Sequence, residues 1–358
     1  MLIENVKKNN FFFIYLTLCF IFFKENKAQK DSLIIQIKNE SFFKNNEYFN
    51  NLKDGITYIG YNLNPLLTYH LDTTINIDIG WYLRTFIGRE KFYNSFLYYQ
   101  LQWQIKEKFY FIFGNLENSH NHKLIEPIYS DDNYYFKKPE QGIQFLLLKE
   151  KIYFDLWLDW QNFILPKEKK KEIFVVGNKT QLNILSNLLR GDFSFTFFHK
   201  GGQGTESPEP QLTYLNFSPA LNFFQFFKNS SLKISVNYCQ FADLSPVKIL
   251  KYINGYGIYN FIELSFKKKL KFNLSYWIGE YYFSPIGEYL FFSLSQKYVD
   301  YQEPSKKIIS FKINYSSDIS QKVKIEYFFN TYIDKKRKYF DYNFGFLICI
   351  DFNKKVKL

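Results

Sequence analysis

An all-β chain, closed into a transmembrane antiparallel β-barrel of about 16 strands (range 14–18), is predicted by three observations. The first is the last strand. In Tyr339–Phe352, the residues Phe340, Tyr342, Phe344, Phe346, Ile348, Ile350 and Phe352 alternate with Asp341, Asn343, Gly345, Leu347, Cys349 and Asp351. Side chains of a strand point to opposite faces in turn, so one face here is wholly apolar and the other mostly polar. The segment also exceeds the five or six residues of a typical soluble strand, and membrane-spanning barrel strands need about 9–11. The second observation is that this alternation recurs along the chain. The third is that tight turns and long loops alternate, as periplasmic turns and extracellular loops do in such barrels.

The elements follow in order. Ile75, Ile77, Ile79, Trp81 and Leu83 oppose Asn76, Asp78, Gly80, Tyr82 and Arg84. Leu97, Tyr99, Leu101, Trp103 and Ile105 oppose Gln100, Gln102, Gln104 and Lys106. Ile152–Trp160 alternates with Tyr153, Asp155, Trp157, Asp159 and Gln161, and Leu270–Tyr276 with Lys271, Asn273 and Ser275. Ile309–Tyr315 and Val323–Phe329 place Lys312, Lys322, Lys324 and Glu326 on their polar faces. Lys106–Lys108, Glu150–Lys151, Asn178–Lys179 and Phe227–Ser230 read as tight turns. Glu117–Gln141, Leu165–Lys171, His199–Gln211 and Phe241–Asn254 read as longer loops. Seventeen segments qualify as strands when Leu33–Ile37 is included, but a single-chain barrel needs an even number. Loop parity puts the surplus after Lys269, so sixteen is the expected count.

Aromatic residues make up 22% of the 358 residues, with 43 Phe and 30 Tyr. A lipid-facing wall with interfacial girdles accommodates that many rings, although an AT-rich genome would also enrich them. The net charge is +12, and its lysines lie in turns and on polar strand faces. Nucleic-acid binding is excluded on that ground, because it needs cations clustered on one surface. A solvated rim or an anion-favouring lumen suits the distribution better. Cys239 and Cys349 fall in polar registers of distant strands, beyond the reach of a disulfide, so both are expected to be free thiols.

The N-terminus has the grammar of a signal peptide. Lys7 and Lys8 precede the apolar run Phe11–Phe23, and Ala28 precedes the expected cut. This divides the chain into a leader, 1–28, an N-terminal periplasmic segment or first strand, 29–54, and the barrel, 55–358. Leu18 before Cys19 argues against a lipoprotein.

In the middle of the chain, Gly114-Asn115-Leu116, His122–Pro127, Pro139–Phe145, Asp155–Ile164 and Glu172–Gly177 form an ordered set of motifs. In these motifs the chain resembles uncharacterised, porin-like outer-membrane β-barrel proteins of Bacteroidota. The resemblance implies a barrel in a Gram-negative envelope and transfers no functional residue. The terminal strand is similar to the insertion signal read by the barrel-assembly machinery. It differs in having Ile348 and Ile350 where aromatics are usual, and in the residues that follow Phe352.

Candidate sites are few. His120, His122 and Glu126 share a long loop and form a weak metal-binding pattern with no fourth ligand. Asp155 and Asp159 share one strand face, about 13 Å apart, too far for a glycosidase pair. Trp157 between them can stack on a sugar or pack in a girdle. Ser194 and His199 suggest a hydrolase pair exposed to the bilayer. Gly201-Gly202-Gln203-Gly204 leads into prolines rather than a helix, so it reads as a loop tip and not a phosphate cradle.

The expected function is that of a porin-like channel in the cell outer membrane, without enzymatic activity, cofactor or metal. It would pass small solutes, with a mild anion preference. Its lumen would be lined by Asp78, Arg84, Gln102, Asp155, Asp159, Lys271, Lys312, Lys322, Lys324, Glu326 and Asp341. The expected partners are outer-membrane lipid and lipopolysaccharide, the barrel-assembly machinery and small solutes. A non-conducting barrel in envelope biogenesis or secretion is the alternative, and a barrel-embedded lipid hydrolase the third reading.

Overall fold

A computed structural model describes residues 32–202 and 204–357. The leader, Cys19 and the expected cut after Ala28 lie outside the described residues. Sixteen antiparallel strands close into one barrel. In chain order they are β1 (Ser32–Glu47), β2 (Thr57–His70), β3 (Ile75–Phe86), β4 (Asn94–Lys106), β5 (Phe109–Asn115), β6 (Gln141–Leu148), β7 (Ile152–Asn162) and β8 (Glu172–Leu185). They continue as β9 (Leu189–Gly201), β10 (Leu212–Phe226), β11 (Ser230–Asp243), β12 (Asn254–Phe266), β13 (Leu270–Glu280), β14 (Ser305–Ser320), β15 (Val323–Asp334) and β16 (Phe340–Lys357). Each strand pairs with its chain neighbours, and β16 closes on β1.

The alternation in the sequence is the alternation of the wall. In β16, Phe340, Phe344, Ile350 and Phe352 are exposed on the outside, whereas Asp341 and Asn343 are buried inside. The residues beyond Phe352 do not dangle. Asn353–Lys357 pairs with Ser32–Gln36, so β16 is longer than its insertion-signal portion and the closure runs the full length of β1.

Connections sort strictly by length. One end carries only 71–74, 107–108, 149–151, 186–188, 227–229, 267–269 and 321–322; the other carries 48–56, 87–93, 116–140, 163–171, 202–211, 244–253, 281–304 and 335–339. Two sequence-based expectations change here. Asn178-Lys179 is not a turn but the middle of β8, and the chain reverses after Leu185. The surplus strand after Lys269 disappears because residues 281–304 form one long inward connection with a 3₁₀ turn at Tyr289–Phe291. Apolar residues there mimic a strand because they pack inside the lumen instead of facing lipid.

The lumen is therefore filled. Residues 116–140, which include a single helical turn at Asn133–Phe136, fold into the barrel beside 281–304. Tyr282, Phe283, Leu290, Phe291 and Phe292 pack on Tyr214, Phe241, Tyr259, Trp277 and Tyr332 of the wall. Leu116, Leu124, Ile128 and Ile286 pack on Trp157 and Val175. Two wall tryptophans need glycine opposite them. A Cβ at Gly177 would lie 2.1 Å from Trp157 Cζ2, and one at Gly257 2.0 Å from Trp277 Cη2.

Candidate functional site

The inserted loop is pinned at His122. Nδ1 lies 3.0 Å from Asp155 Oδ2 and Nε2 2.5 Å from Glu140 Oε2. The ring stacks on Trp157 at 3.7 Å and 5°. Tyr129 donates to Glu140, and Tyr153 and Gln144 donate to Asp155. Burial alone would push the His122 pKa down, but Glu140 and Asp155 outweigh it and raise it to about 9. His122 is thus a fully buried imidazolium between two carboxylates, with no face open to a ligand.

A second ionic cluster ties the inserted segments to β1. Lys53 Nζ sits 2.5 Å from Asp132 Oδ2 and 2.9 Å from Glu288, and Lys44 reaches Asp132 Oδ1 at 2.5 Å. Ser130 donates to Glu288 at 2.6 Å. Burial raises the Asp132 pKa, but Lys44 and Lys53 overcome this and hold the carboxyl below the usual range. The cluster borders a cavity of about 930 Å³ at the loop end, which runs from Lys53, Ser130 and Asp132 to the rim residues Ile56, Ile59 and Ile87. Its buried charges neutralise one another, and Ser130 has no imidazole beside it.

The outer wall at the loop end carries a different constellation. His199 Nδ1 lies 3.0 Å from Thr213 Oγ1 on the neighbouring strand. The register pairs Thr213 with His199, and pairs Phe174 with His199 and Glu172 with Gly201 on the other side. Phe174, His199 and Thr213 therefore form a row across β8, β9 and β10 on the lipid-facing side, with Glu172 on the same side one pair further along, opposite Gly201. Gly201 faces the same way, and a Cβ there would lie 2.5 Å from His199 Nε2. Its missing side chain leaves Nε2 room. Phe174 flanks the imidazole at 5.0 Å.

The residues expected from sequence scatter among these places. Ser194 and His199 are not brought together: an odd register separates them, so Ser194 is buried inside while His199 points outward. That parity was readable in the sequence. Thr213 was not, because only the β9–β10 register brings it to His199. The weak metal group is also dispersed. His120 packs on Tyr134, His122 holds Asp155 and Glu140, and Glu126 pairs with Lys312 at 2.6 Å and accepts from Tyr332. Among the described residues no cluster suits a metal ion.

The polar strand residues mostly face the inserted loops rather than one another. Arg84 donates to Asn62 and to the carbonyls of Tyr134 and Lys137. Asp155 holds His122, Asp159 accepts from Gln141 N and Gln161, and Asp341 accepts from Phe49 N and Asn50. Lys324 and Glu326 pair at 2.6 Å near the turn end. Asp78 and Gln102 are half-buried in the wall and Lys271 is exposed in the lumen. Lys322 lies in the turn before β15, with its ammonium 4.6 Å from the Phe352 ring. Trp157 meets His122 rather than an open lumen, and Cys239 and Cys349 are free.

The closed barrel, its apolar outer wall and its sorted connections define an outer-membrane β-barrel. The chain belongs to the lipid A 3'-O-deacylase-type family, whose model matches residues 25–358. This overturns the expectation of a non-enzyme, because the family's description names a deacylase. No curated protein matches the chain. Among solved structures, OmpTΔL8, a loop L8 deletion mutant of an outer membrane protein of Vibrio cholerae, superimposes with a TM-score of 0.54 at 7% identity, covering 90% of this chain and 100% of the other. OccK2 of Pseudomonas aeruginosa, solved with glucuronate, gives 0.51 at 8% identity, over 90% and 98%. At such identities the likeness concerns the fold alone.

Proposed function

We propose that this protein is an outer-membrane acyl-ester hydrolase whose substrate is an acylated lipid of the outer leaflet, lipid A being the one its family's description names. The observation that carries this reading is the His199–Thr213 pair on the lipid-facing wall at the loop end, with Glu172 on the same side one pair further along. When His199 Nδ1–H donates to Thr213 Oγ1, Nε2 keeps its lone pair and faces the space left by Gly201. A general base so placed takes a proton from water as the water oxygen bonds to the ester carbonyl carbon; the acyl C–O bond then breaks and the imidazolium returns that proton to the departing alkoxide, which leaves as the alcohol. Glu172, on the same face, stabilises the imidazolium that forms. Exposed Trp160 and Phe193 on the same wall offer apolar surface to acyl chains. The filled lumen supports this reading over an open channel.

The test is fatty-acid release from acylated lipid A by the purified barrel in detergent. His199→Gln is expected to lose about 100-fold or more in rate, as general-base catalysis is typically worth. Ser194→Ala, on the opposite face, should leave the rate unchanged. Full activity in H199Q, or none in the wild type, would count against the proposal.

A porin-like channel is the second reading, favoured by one observation: a cavity of about 410 Å³ at the turn end, lined by Lys269, Lys271, Lys312, Glu126 and Glu326. In this reading Lys271, Lys312, Lys324 and Glu326 would line a solute path. Planar-bilayer recording separates the two, because passive passage requires steady conductance from the wild-type chain.

A further inference from the structure

The large cavity at the loop end combines an excess of positive charge with an apolar lip. Lys53, Arg89, Lys137 and Lys297 line it, against only two carboxylates, Asp54 and Asp132. Both acids are already engaged. Asp54 pairs with Lys297 at 2.9 Å, and Asp132 pairs with Lys44 and Lys53. Lys53 takes Glu288 as its second partner. Arg89 and Lys137 are left with no carboxylate within ion-pair distance among the described residues.

An aromatic wall runs between these two cations. Phe136, Tyr58, Phe86 and Tyr93 all line the cavity, and successive ring centres lie 6.2, 6.3 and 5.0 Å apart. At the outer end the Arg89 guanidinium lies 5.4 Å from the Tyr93 ring centre. At the inner end Lys137 follows Phe136. Its carbonyl accepts from Arg84 Nη1 at 2.6 Å, and Arg84 sits two residues deeper in β3 than Phe86. Burial pushes the Lys137 amine below the usual lysine range, and Glu140 and Asp159 offset only part of this. The rim of the cavity is apolar: Ile56, Ile59 and Ile87 are all exposed there. Ile59 lies on the lipid-facing side of β2, because its neighbour Tyr58 points inward. The cavity therefore opens over the wall toward the bilayer, at the end that carries the long connections.

We infer that this cavity binds a long-chain fatty acid from the outer leaflet, with its carboxylate on Lys137, its chain along Phe136, Tyr58 and Phe86, and its tail over the isoleucine lip. A cation taken out of water needs a partner of opposite charge, and the carboxylate supplies it. Arg89 at the mouth attracts that carboxylate as it enters. The volume of about 930 Å³ is within the range of ordinary ligand sites, about 300–1,000 Å³. One chain suits the lining better than two, because the exposed apolar lip is a single strip and Thr57, Asn133 and Gln296 make other parts of the wall polar. The cavity borders β2 and β3, whereas His199 and Thr213 lie on β9 and β10, so the inference is independent of the hydrolase reading.

The test uses the full barrel in phosphatidylcholine nanodiscs and palmitate carrying ¹³C at its carboxyl carbon. Carboxyl NMR is expected to show a saturable protein-bound signal, distinct from that of palmitate in the bilayer. Affinity should fall about tenfold or more in Lys137→Gln, which removes the charged partner, and should match the wild type in His199→Gln and Lys271→Gln. Unlabelled palmitate should displace the signal. Methyl palmitate has the chain without the charge, acetate the charge without the chain, and phosphatidylglycerol two chains on a phosphate; none of them should displace it. Heat-modifiable electrophoretic mobility checks that the variants are closed barrels. Should Lys137→Gln fail to close, the competitions on the wild-type barrel decide alone. The inference is overturned by the absence of a saturable signal, by wild-type affinity in a closed Lys137→Gln barrel, or by displacement with acetate, methyl palmitate or phosphatidylglycerol.

Discussion

At the residue scale, the best-determined positions are those where one side chain satisfies several demands. His122 offers two N–H donors to two carboxylates and a cationic face to Trp157. Its folded pKa of about 9 lies above the ordinary value of 6.5. Its contribution to stability is therefore complete below about pH 6.5 and is lost as the pH rises through 9, and it amounts to the order of 3 kcal/mol. Thermal unfolding followed between pH 6 and 10 should show this loss in the wild type and not in His122→Gln, which should be less stable throughout the acid side. Gly201 makes a second prediction. Gly201→Ala would crowd His199 Nε2 and should abolish ester hydrolysis while leaving the barrel closed, which electrophoretic mobility and fatty-acid release together can check. Gly177→Ala differs, since its Cβ meets the buried Trp157 ring; overpacking there should cost about 1–3 kcal/mol in chemical denaturation.

At the element scale, period-2 patterning recovered most strands and the sorting of their connections, but it set a turn inside β8 and a strand within residues 281–304. β16, β7 and β13 were legible because one face meets lipid and the other meets polar groups. Residues 281–304 were misleading because aromatic residues packed in a lumen look like aromatic residues facing lipid. The parity of the strands also decided the hydrolase question: Ser194 and His199 share β9 but not a face. Prolines mark the same constraint. The ladder between β2 and β3 passes from Leu63 to Leu66 and skips Pro65, and that between β10 and β11 passes from Phe217 to Ala220 and skips Pro219, because proline has no N–H to donate. The inserted loop permits a direct test. Deleting most of residues 117–139 removes His122, Glu126, Ile128 and Asp132 together, and should turn a poorly conducting barrel into an open one in planar bilayers. Unchanged conductance would mean that residues 281–304 close the lumen by themselves.

At the scale of the whole molecule, closure joins the two ends of the described chain. β1 pairs with β16 along its full length, from Ser32 with Lys357 to Glu47 with Tyr342. Truncation after Phe352 would remove the pairs from Ser32–Lys357 to Gln36–Asn353, and the shortened chain should lose its heat-modifiable band at a lower temperature than the full chain. By itself the sequence determined the barrel, its loop sorting and the orientation of nearly every strand face, because each of these depends on local alternation or local turn chemistry. Only the tertiary structure decided that the lumen is filled and that the wall's charges are answered by inserted loops. It alone placed His199 beside Thr213 on the lipid face. Those contacts join residues far apart in the chain, and the register that makes them is set by sixteen strands closing together, which no local pattern encodes.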